Sequence, residues 1–293
     1  MSQPATPAQR IEAAVYVVST PIGNLGDITA RALELLAAVD LIAAEDTRHS
    51  AGLLAHFGIA TPMQAYHDHS DGQAAQRLLD RIEAGEAVAL ISDAGTPLIA
   101  DPGYRLVRSA RERGLAVVPV PGASAMLAAI AVAGMPTDRF AFEGFLPSRA
   151  GARHKLLESL YGETRTLVFY EAPHRIEETL AAMQQVFGGQ REALLARELT
   201  KQFETLISDT LEGLLQRVRE DANQRRGEIV LVVAGAPKDD TEAIDQQLAH
   251  TLRVLLKTLP LKQAVALAVE ITGASRNRAY DMALAQRQHE QGE

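Results

Sequence analysis

At 293 residues the chain is long enough for two domains or one large one, and 47% hydrophobic content can build a substantial core, which points to a soluble globular protein rather than a disordered one. With no cysteine there is no disulfide, thiolate nucleophile or thiolate metal site, a composition that fits a reducing compartment. A net charge of −8 argues against a protein that coats nucleic acid through bulk charge, although residues 247–293 carry six Lys/Arg against four Asp/Glu and so form a locally basic tail on an acidic body.

In chain order, residues 1–14 lack a basic region followed by an apolar core and read as a short disordered lead-in. Val15–Ser19 is a short strand, Thr20–Asp27 a glycine-containing loop, Ile28–Val39 a helix and Leu41–Ala44 a second strand. Strand, loop, helix and strand in that order form a βαβ unit and predict a parallel sheet. A helix His49–Phe57, an extended piece Met63–Tyr66 and a helix Gln73–Glu83 follow. Val88–Ile91 is a fully apolar strand that delivers a turn-rich stretch, SDAGTPLIADPG. Asp101 suits a helix cap and Pro102 the first helical position, so a helix is expected to start at Pro102, with its body over Tyr104–Arg113. Strand Ala116–Val120 then runs into Pro121-Gly122-Ala123-Ser124 and an alanine-rich helix. Residues 114–137 carry no charge, but three prolines and three glycines interrupt them, which argues against a membrane span.

Past Thr137 short strands become more frequent: Phe140–Phe142, Leu167–Tyr170, Ala193–Ala196, Glu204–Ser208 and Ile229–Val233, alternating with helices near Ala150–Leu160, His174–Phe187 and Leu211–Ala222. This texture predicts a second α/β domain with some antiparallel pairing. The tail reads as three helices, Glu242–Leu256, Leu261–Ile271 and Ser275–Gln286. The expected division is therefore 15–121, 122–236 and a small helical domain, 237–293.

Polar clusters collect at the carboxyl ends of strands, where open α/β sheets place ligands. The loop TPIGNLGD is neither a G-x-G-x-x-G fingerprint nor a Walker loop, and by itself reads as a βα turn. Glu45-Asp46-Thr47-Arg48 sets two carboxylates and a guanidinium at a strand end, serving either proton transfer and phosphate binding or a helix cap with its ion pair. Pro121–Ser124 is a small-residue turn entering a helix whose free N–H groups can hold an anion. Phe169–Arg175 (FYEAPHR) and Ala196–Lys201 (ARELTK) are two further polar strand ends. The eight histidines are dispersed; only His67-Asp68-His69 is a close pair, and two ligands without a third do not make a catalytic metal site, so no metal is expected. Arg149, Arg153, His154 and Lys155 form a basic run, a solvated face or a track for a phosphate backbone. The last two helices, joined through Thr272-Gly273-Ala274, have helix-turn-helix spacing with Arg276 and Arg278 opening the second, equally readable as a small capping bundle.

The blocks TPIGNLGDIT, AEDTR, ISDAGTPLIADPG, PGASA, EGFLP, FYEAPHR, ARELTK, GEIVLVV and LPLKQAVALAVEITG, in that order, resemble the ribosomal RNA small subunit methyltransferase I group of the tetrapyrrole methylase superfamily. The resemblance runs from Val15 to about Tyr280 and rests most specifically on TPIGNLGD, AEDTR and FYEAPHR. It implies two α/β domains with a donor-binding cleft between them, S-adenosylmethionine as methyl donor, and 2′-O-methylation of a cytidine in the decoding region of 16S RNA. It further implies a cytoplasmic homodimer acting on 16S rRNA or the 30S subunit. The donor would be held by Asp93, Ala94, Gly95, Thr96, Pro97, Ser124, Phe145, Leu146, Ala172, Ala196 and Pro237. Asp46 and Glu171 become candidates for the base that takes the hydroxyl proton, with Arg48, His174 and Arg197 holding phosphates or orienting the hydroxyl. Arg149, Arg153, Lys155, Arg276 and Arg278 become candidate RNA contacts. A small-molecule methyltransferase of the same superfamily is the alternative; the absent G-x-G-x-x-G disfavours a nicotinamide oxidoreductase, and the strand-end clusters disfavour a non-catalytic RNA-binding module.

Overall fold

The computed structural model describes residues 11–67, 72–237, 240–256 and 258–290, which form two compact units, one ending at Ala236 and the other beginning at Pro237. In the first unit, β1 (Val15–Val18), β2 (Leu41–Ala44), β3 (Met63–Ala65), β4 (Val88–Ile91) and β5 (Val117–Val120) form a sheet in the order β3-β2-β4-β1-β5. Every neighbouring pair in it is parallel.

The apolar runs at β2 and β4 are buried at every position because helices cover both faces. Alternate side chains go to opposite cores. Ile42, Ala44, Ala89 and Ile91 pack with α1 (Ala30–Ala38) and Leu54 of α2 (Thr47–His56). Leu41, Ala43, Val88 and Leu90 pack with α3 (Gly72–Glu83) and α4 (Tyr104–Glu112). Helix α1 is capped by Thr29, whose hydroxyl accepts from Ala32 N–H at 3.1 Å. The expected helix start at Pro102 is corrected: α4 begins at Tyr104 behind Gly103, at φ 127°, and Asp101 makes no cap. Gly103 is required there, since a Cβ would stand 2.8 Å from Leu90 Cδ2.

The second sheet has the order β6-β7-β10-β8-β9, from β6 (Phe140–Phe145), β7 (Thr166–Glu171), β8 (Glu192–Arg197), β9 (Thr205–Thr210) and β10 (Ile229–Val233). Only β6–β7 is parallel, so the expected mixture of pairings is present. One face carries Leu167, Phe169, Leu195 and Leu231 against α6 (Ala150–Ser159), α7 (Ile176–Phe187) and α8 (Leu211–Glu220). The other face carries Val168, Leu194, Ala196, Val230 and Val232 against α5 (Ala125–Val132), together with Ile22 from the loop after β1. The uncharged stretch 114–137 is thus β5, a turn and α5; no helix among the described residues is long and apolar enough to cross a membrane.

Of the lead-in, Ile11 and Ala14 pack onto the first sheet's core, so the expected disorder does not extend to them; residues 1–10 lie outside the described residues. The second unit holds α9 (Asp240–Leu255), α10 (Leu261–Thr272) and α11 (Arg276–Glu290) around Leu248, Leu252, Val265, Ala268, Ala279 and Ala283. Helix α10 ends on Gly273 in the left-handed conformation, φ 70°, which turns the chain into α11.

Phe169 is completely buried at the centre of the second sheet's helix-covered face. Phe169→Ala should cost about 3–5 kcal/mol through lost transfer energy and a cavity, read as a lower midpoint in urea unfolding.

Candidate active site

The carboxyl ends of β1 and β4 are stitched together by backbone. Thr20 N–H donates to Gly95 O at 2.8 Å and Gly95 N–H returns to Thr20 O at 3.0 Å. The bridge needs Gly95 at φ 79°, in the left-handed region open to glycine. The hydroxyls of Ser19 and Thr96 share a hydrogen bond of 2.8 Å, and Thr96 also donates to Ala123 O at 3.1 Å. The loops after β1, β4 and β5 are thereby one rigid piece. The close approach at Gly122, where a Cβ would meet Ser19 Cβ at 2.9 Å, explains the Pro-Gly turn.

Against this piece lies a cavity of about 250 Å³, lined by Ala94, Gly95, Thr96, Ser124, Phe145 and Ala172. These are six of the residues expected to hold a donor. The same cavity is lined by residues that sequence reasoning did not assign to it, notably Ile22, Asp101, Tyr170 and Leu199. The Tyr170 ring meets Phe142 and Phe145 edge-on, with centroids 4.9 and 5.6 Å apart, and its hydroxyl accepts from Met126 N–H at 3.2 Å. A second cavity, of about 430 Å³, lies between the loop after β1, α2 and the loop after β8, and shares Ile22, Ala94 and Glu228 with the first.

The remaining expected donor residues are placed elsewhere. Asp93 lines the second cavity, where its Oδ1 accepts from Asp46 N–H at 3.0 Å. Pro97 is buried outside both linings, and Ala196 is packed beneath α5. Leu146 has its side chain in the core and its carbonyl on Arg175 Nη2, at 2.5 Å. Pro237 is exposed and opens the second unit.

The expected catalytic set is not brought together. Asp46 caps α2, accepting from Arg48 N–H at 2.8 Å, and is forked by the Arg48 guanidinium, which is 92% exposed. Those bonds hold the Asp46 carboxyl down at about 2, so it takes up a proton poorly at neutral pH. Glu171 lines the first cavity, but its side chain has no exposed surface. Oε2 accepts from Thr179 Oγ1 at 2.5 Å, and Oε1 from Ala172 N–H at 2.8 Å with Arg175 Nε 3.3 Å away. Oε2 thus joins β7 to α7, and Oε1 holds the turn between them. Arg197 is spent internally, its Nη2 donating to Phe203 O and Thr205 Oγ1. His174 is exposed on a single 3-10 turn, Pro173–Arg175.

Three acids line the first cavity, Glu171, Glu228 and Asp101; Glu171 is tied up as above and Glu228 is paired with Lys201, which leaves Asp101. Burial, and secondarily the charges of Glu45 and Asp93, push it up to about 6, against the opposing effect of its hydrogen bond to Ser92. Burial also raises Glu45, whose Oε2 accepts from Asp93 N–H at 3.4 Å. The chain reaches Asp101 through Leu98 and Ala100, at φ 73° and 63°; Glu198 and Thr200, at 52° and 65°, flank Leu199 across the cavity. Side chains in this region cost strain, and the four positions lie at or next to residues that line one cavity. The signal in the sequence was an acid closing an otherwise apolar loop, TPLIAD, masked by its resemblance to a helix cap.

Of the expected RNA contacts, Arg149, Lys155, Arg276 and Arg278 are exposed. Arg153 is corrected: it is 4% exposed and bonded to Glu178 at 3.0 Å, an internal residue of α6. Among the described residues no three His, Asp or Glu side chains converge as a metal site; Asp68 and His69 lie outside those residues.

Fold and comparisons together define a methylase built on two five-stranded α/β sheets. Residues 14–215 match the model of the tetrapyrrole (corrin/porphyrin) methylases, and residues 242–287 that of the RsmI C-terminal HTH domain. Cobalt precorrin-4 methyltransferase superimposes with a TM-score of 0.56 at 16% identity, over 76% of this chain and 95% of its own. Ribosomal RNA small subunit methyltransferase I of Pseudomonas aeruginosa is 55% identical over 272 residues, 92% of this chain and 96% of that one. Its namesake in Escherichia coli O157:H7 is 50% identical over 279 residues, 95% and 97% of the two chains. The chain belongs to the tetrapyrrole methylase family, in its ribosomal RNA small subunit methyltransferase I group.

If Glu171 is a brace, Glu171→Gln should cost about 1–3 kcal/mol of stability by leaving Arg175 and its neighbours badly paired. Thermal unfolding should show this loss, while the turnover of whatever protein remains folded stays within a few-fold of wild type.

Proposed function

We propose that the protein transfers a methyl group from S-adenosylmethionine to the ribose 2′-hydroxyl of a cytidine in the decoding region of 16S ribosomal RNA. The relatives' shared name supports the substrate class, and the first cavity supports the chemistry. Its apolar walls, its glycine-turned floor and the aromatic edges of Phe145 and Tyr170 suit a sulfonium-bearing donor. Bound there, the donor supplies an electrophilic methyl on a good leaving group. The protein's share is to orient the acceptor and take its proton.

Asp101 carries this reading. A hydroxyl must lose its proton as it is methylated, and a base works best when its pKa lies near the working pH. Asp101 lines the first cavity and, at about 6, meets that condition, whereas Asp46 lines neither cavity and is held at about 2, so the base is assigned to Asp101. In this reading residues 15–121 and 122–236 form the catalytic body and 237–293 the RNA-directed domain, with Arg149, Lys155, Arg276 and Arg278 meeting phosphates. Exposed Leu127 and Val132 on α5, with Phe140 nearby in sequence, offer an apolar face for a homodimer. The location is the cytoplasm, where ribosomes are.

Labelled S-adenosylmethionine incubated with 30S subunits or free 16S RNA tests the reaction; 2′-O-methylcytidine in the digest is the expected product, and unlabelled RNA in both cases overturns it. Asp101→Asn should lower turnover about 10²–10⁴-fold and remove an activity limb that rises through about pH 6 in the wild type. Because the folded protein holds this proton more tightly than the unfolded chain, Asp101 contributes less to stability as pH climbs from 3.8 through about 6. Asp101→Asn should therefore melt above wild type at pH 7.5 and level with it near pH 4. Deleting residues 237–293 should weaken RNA binding in filter assays while leaving donor affinity intact.

A further inference from the structure

Helix α2 contains a glycine that the fold does not ask for. Gly52 sits in mid-helix between Thr47 and His56, where alanine would be favoured, and a Cβ built on it would meet nothing within 4 Å. No neighbour packs closely there and no left-handed turn is involved. A mid-helix glycine costs stability relative to alanine, and no packing contact accounts for this one. Gly52 lines the second cavity, with His49 one turn before it and His56 one turn after it on the same wall.

We propose that this second cavity receives the acceptor nucleoside, an unstacked pyrimidine with its sugar, and that Gly52 keeps the space for it open. The inference rests on the methyl-transfer reading above and says where the acceptor sits. The cavity's volume, about 430 Å³, falls within the range of about 300–1,000 Å³ typical of small-ligand sites. It shares Ile22, Ala94 and Glu228 with the first cavity, so the two cavities adjoin at these residues and their occupants can come into contact there. Its chemistry fits a base and sugar better than a phosphate. The cation on its wall, Lys201, is held at 2.9 Å by both Glu198 and Glu228, which leaves no positive charge to offer. Imidazoles, by contrast, stack on bases and hydrogen-bond to their edges, the usual way that proteins hold a base extracted from its strand. His49 and His56 are both exposed and positioned to do so.

The test uses the full-length enzyme, 30S subunits and S-adenosylmethionine. Gly52→Leu fills the cavity with a good helix former; it should melt at or above the wild-type temperature and bind the donor within twofold by calorimetry. Its kcat/KM for 30S subunits should fall at least 30-fold. The double variant His49→Ala/His56→Ala, at exposed positions, should raise KM for 30S at least tenfold with KM for the donor unchanged, and it keeps the inference testable should Gly52→Leu not fold. Wild-type methylation of RNA by both variants overturns the inference alone. A parallel loss of donor affinity also overturns it, because the cavity would then belong to the donor. A wild-type enzyme that labels no RNA overturns the methyl-transfer reading, and this one with it.

Discussion

The paired backbone hydrogen bonds between Thr20 and Gly95 are the constraint on which the site depends. Parallel strands of one sheet end in loops that are free to wander separately. Here the loops after β1 and β4 are closed into a miniature antiparallel bridge, which the hydroxyls of Ser19 and Thr96 reinforce. That bridge fixes Ile22 and Ala94, and both cavities are built around those two residues. Ile22 also packs beneath the second sheet with Val168, Leu194 and Val230, so the loop that shapes the site also ties the two sheets into one unit.

The electrostatics follow from this geometry. Bringing the ends of β2 and β4 together places Glu45, Asp46, Asp93 and Asp101 in one neighbourhood, and the fold resolves their mutual repulsion unequally. Asp46 is turned outward onto Arg48 and the start of α2, whereas Asp101 is carried inward by a strained loop. Identical carboxyl groups thus end with very different affinities for a proton.

Much of the fold was legible in the sequence. The apolar runs at β2, β4 and β10 matched to the residue, because a strand covered on both faces has nothing but apolar side chains to show. That Ala94, Gly95, Thr96, Ser124, Phe145 and Ala172 come to one cavity was legible too, since small residues and turns at strand ends are local features. The rest was not, because it depends on partners distant in the chain. Glu171 looked catalytic in FYEAPHR until Thr179 and Arg175 closed around it. Arg153 looked like part of a basic face until α6 turned it inward to Glu178. Asp101 looked like a cap because Asp-Pro-Gly spells a helix start, and only the left-handed residues before it reveal where it points.

The strand order also bears on how the chain assembles. β1 leaves the ribosome first, yet its two neighbours in the sheet are β4 and β5, and β2 likewise needs β4 on one side. At about 5–20 residues per second, several seconds pass between the synthesis of β1 and that of β4. During that interval β1 has neither of its neighbours to pair with, and β2 can pair only with β3. β4 is therefore both the strand that delivers the cavity loop and the one whose arrival lets the first sheet condense.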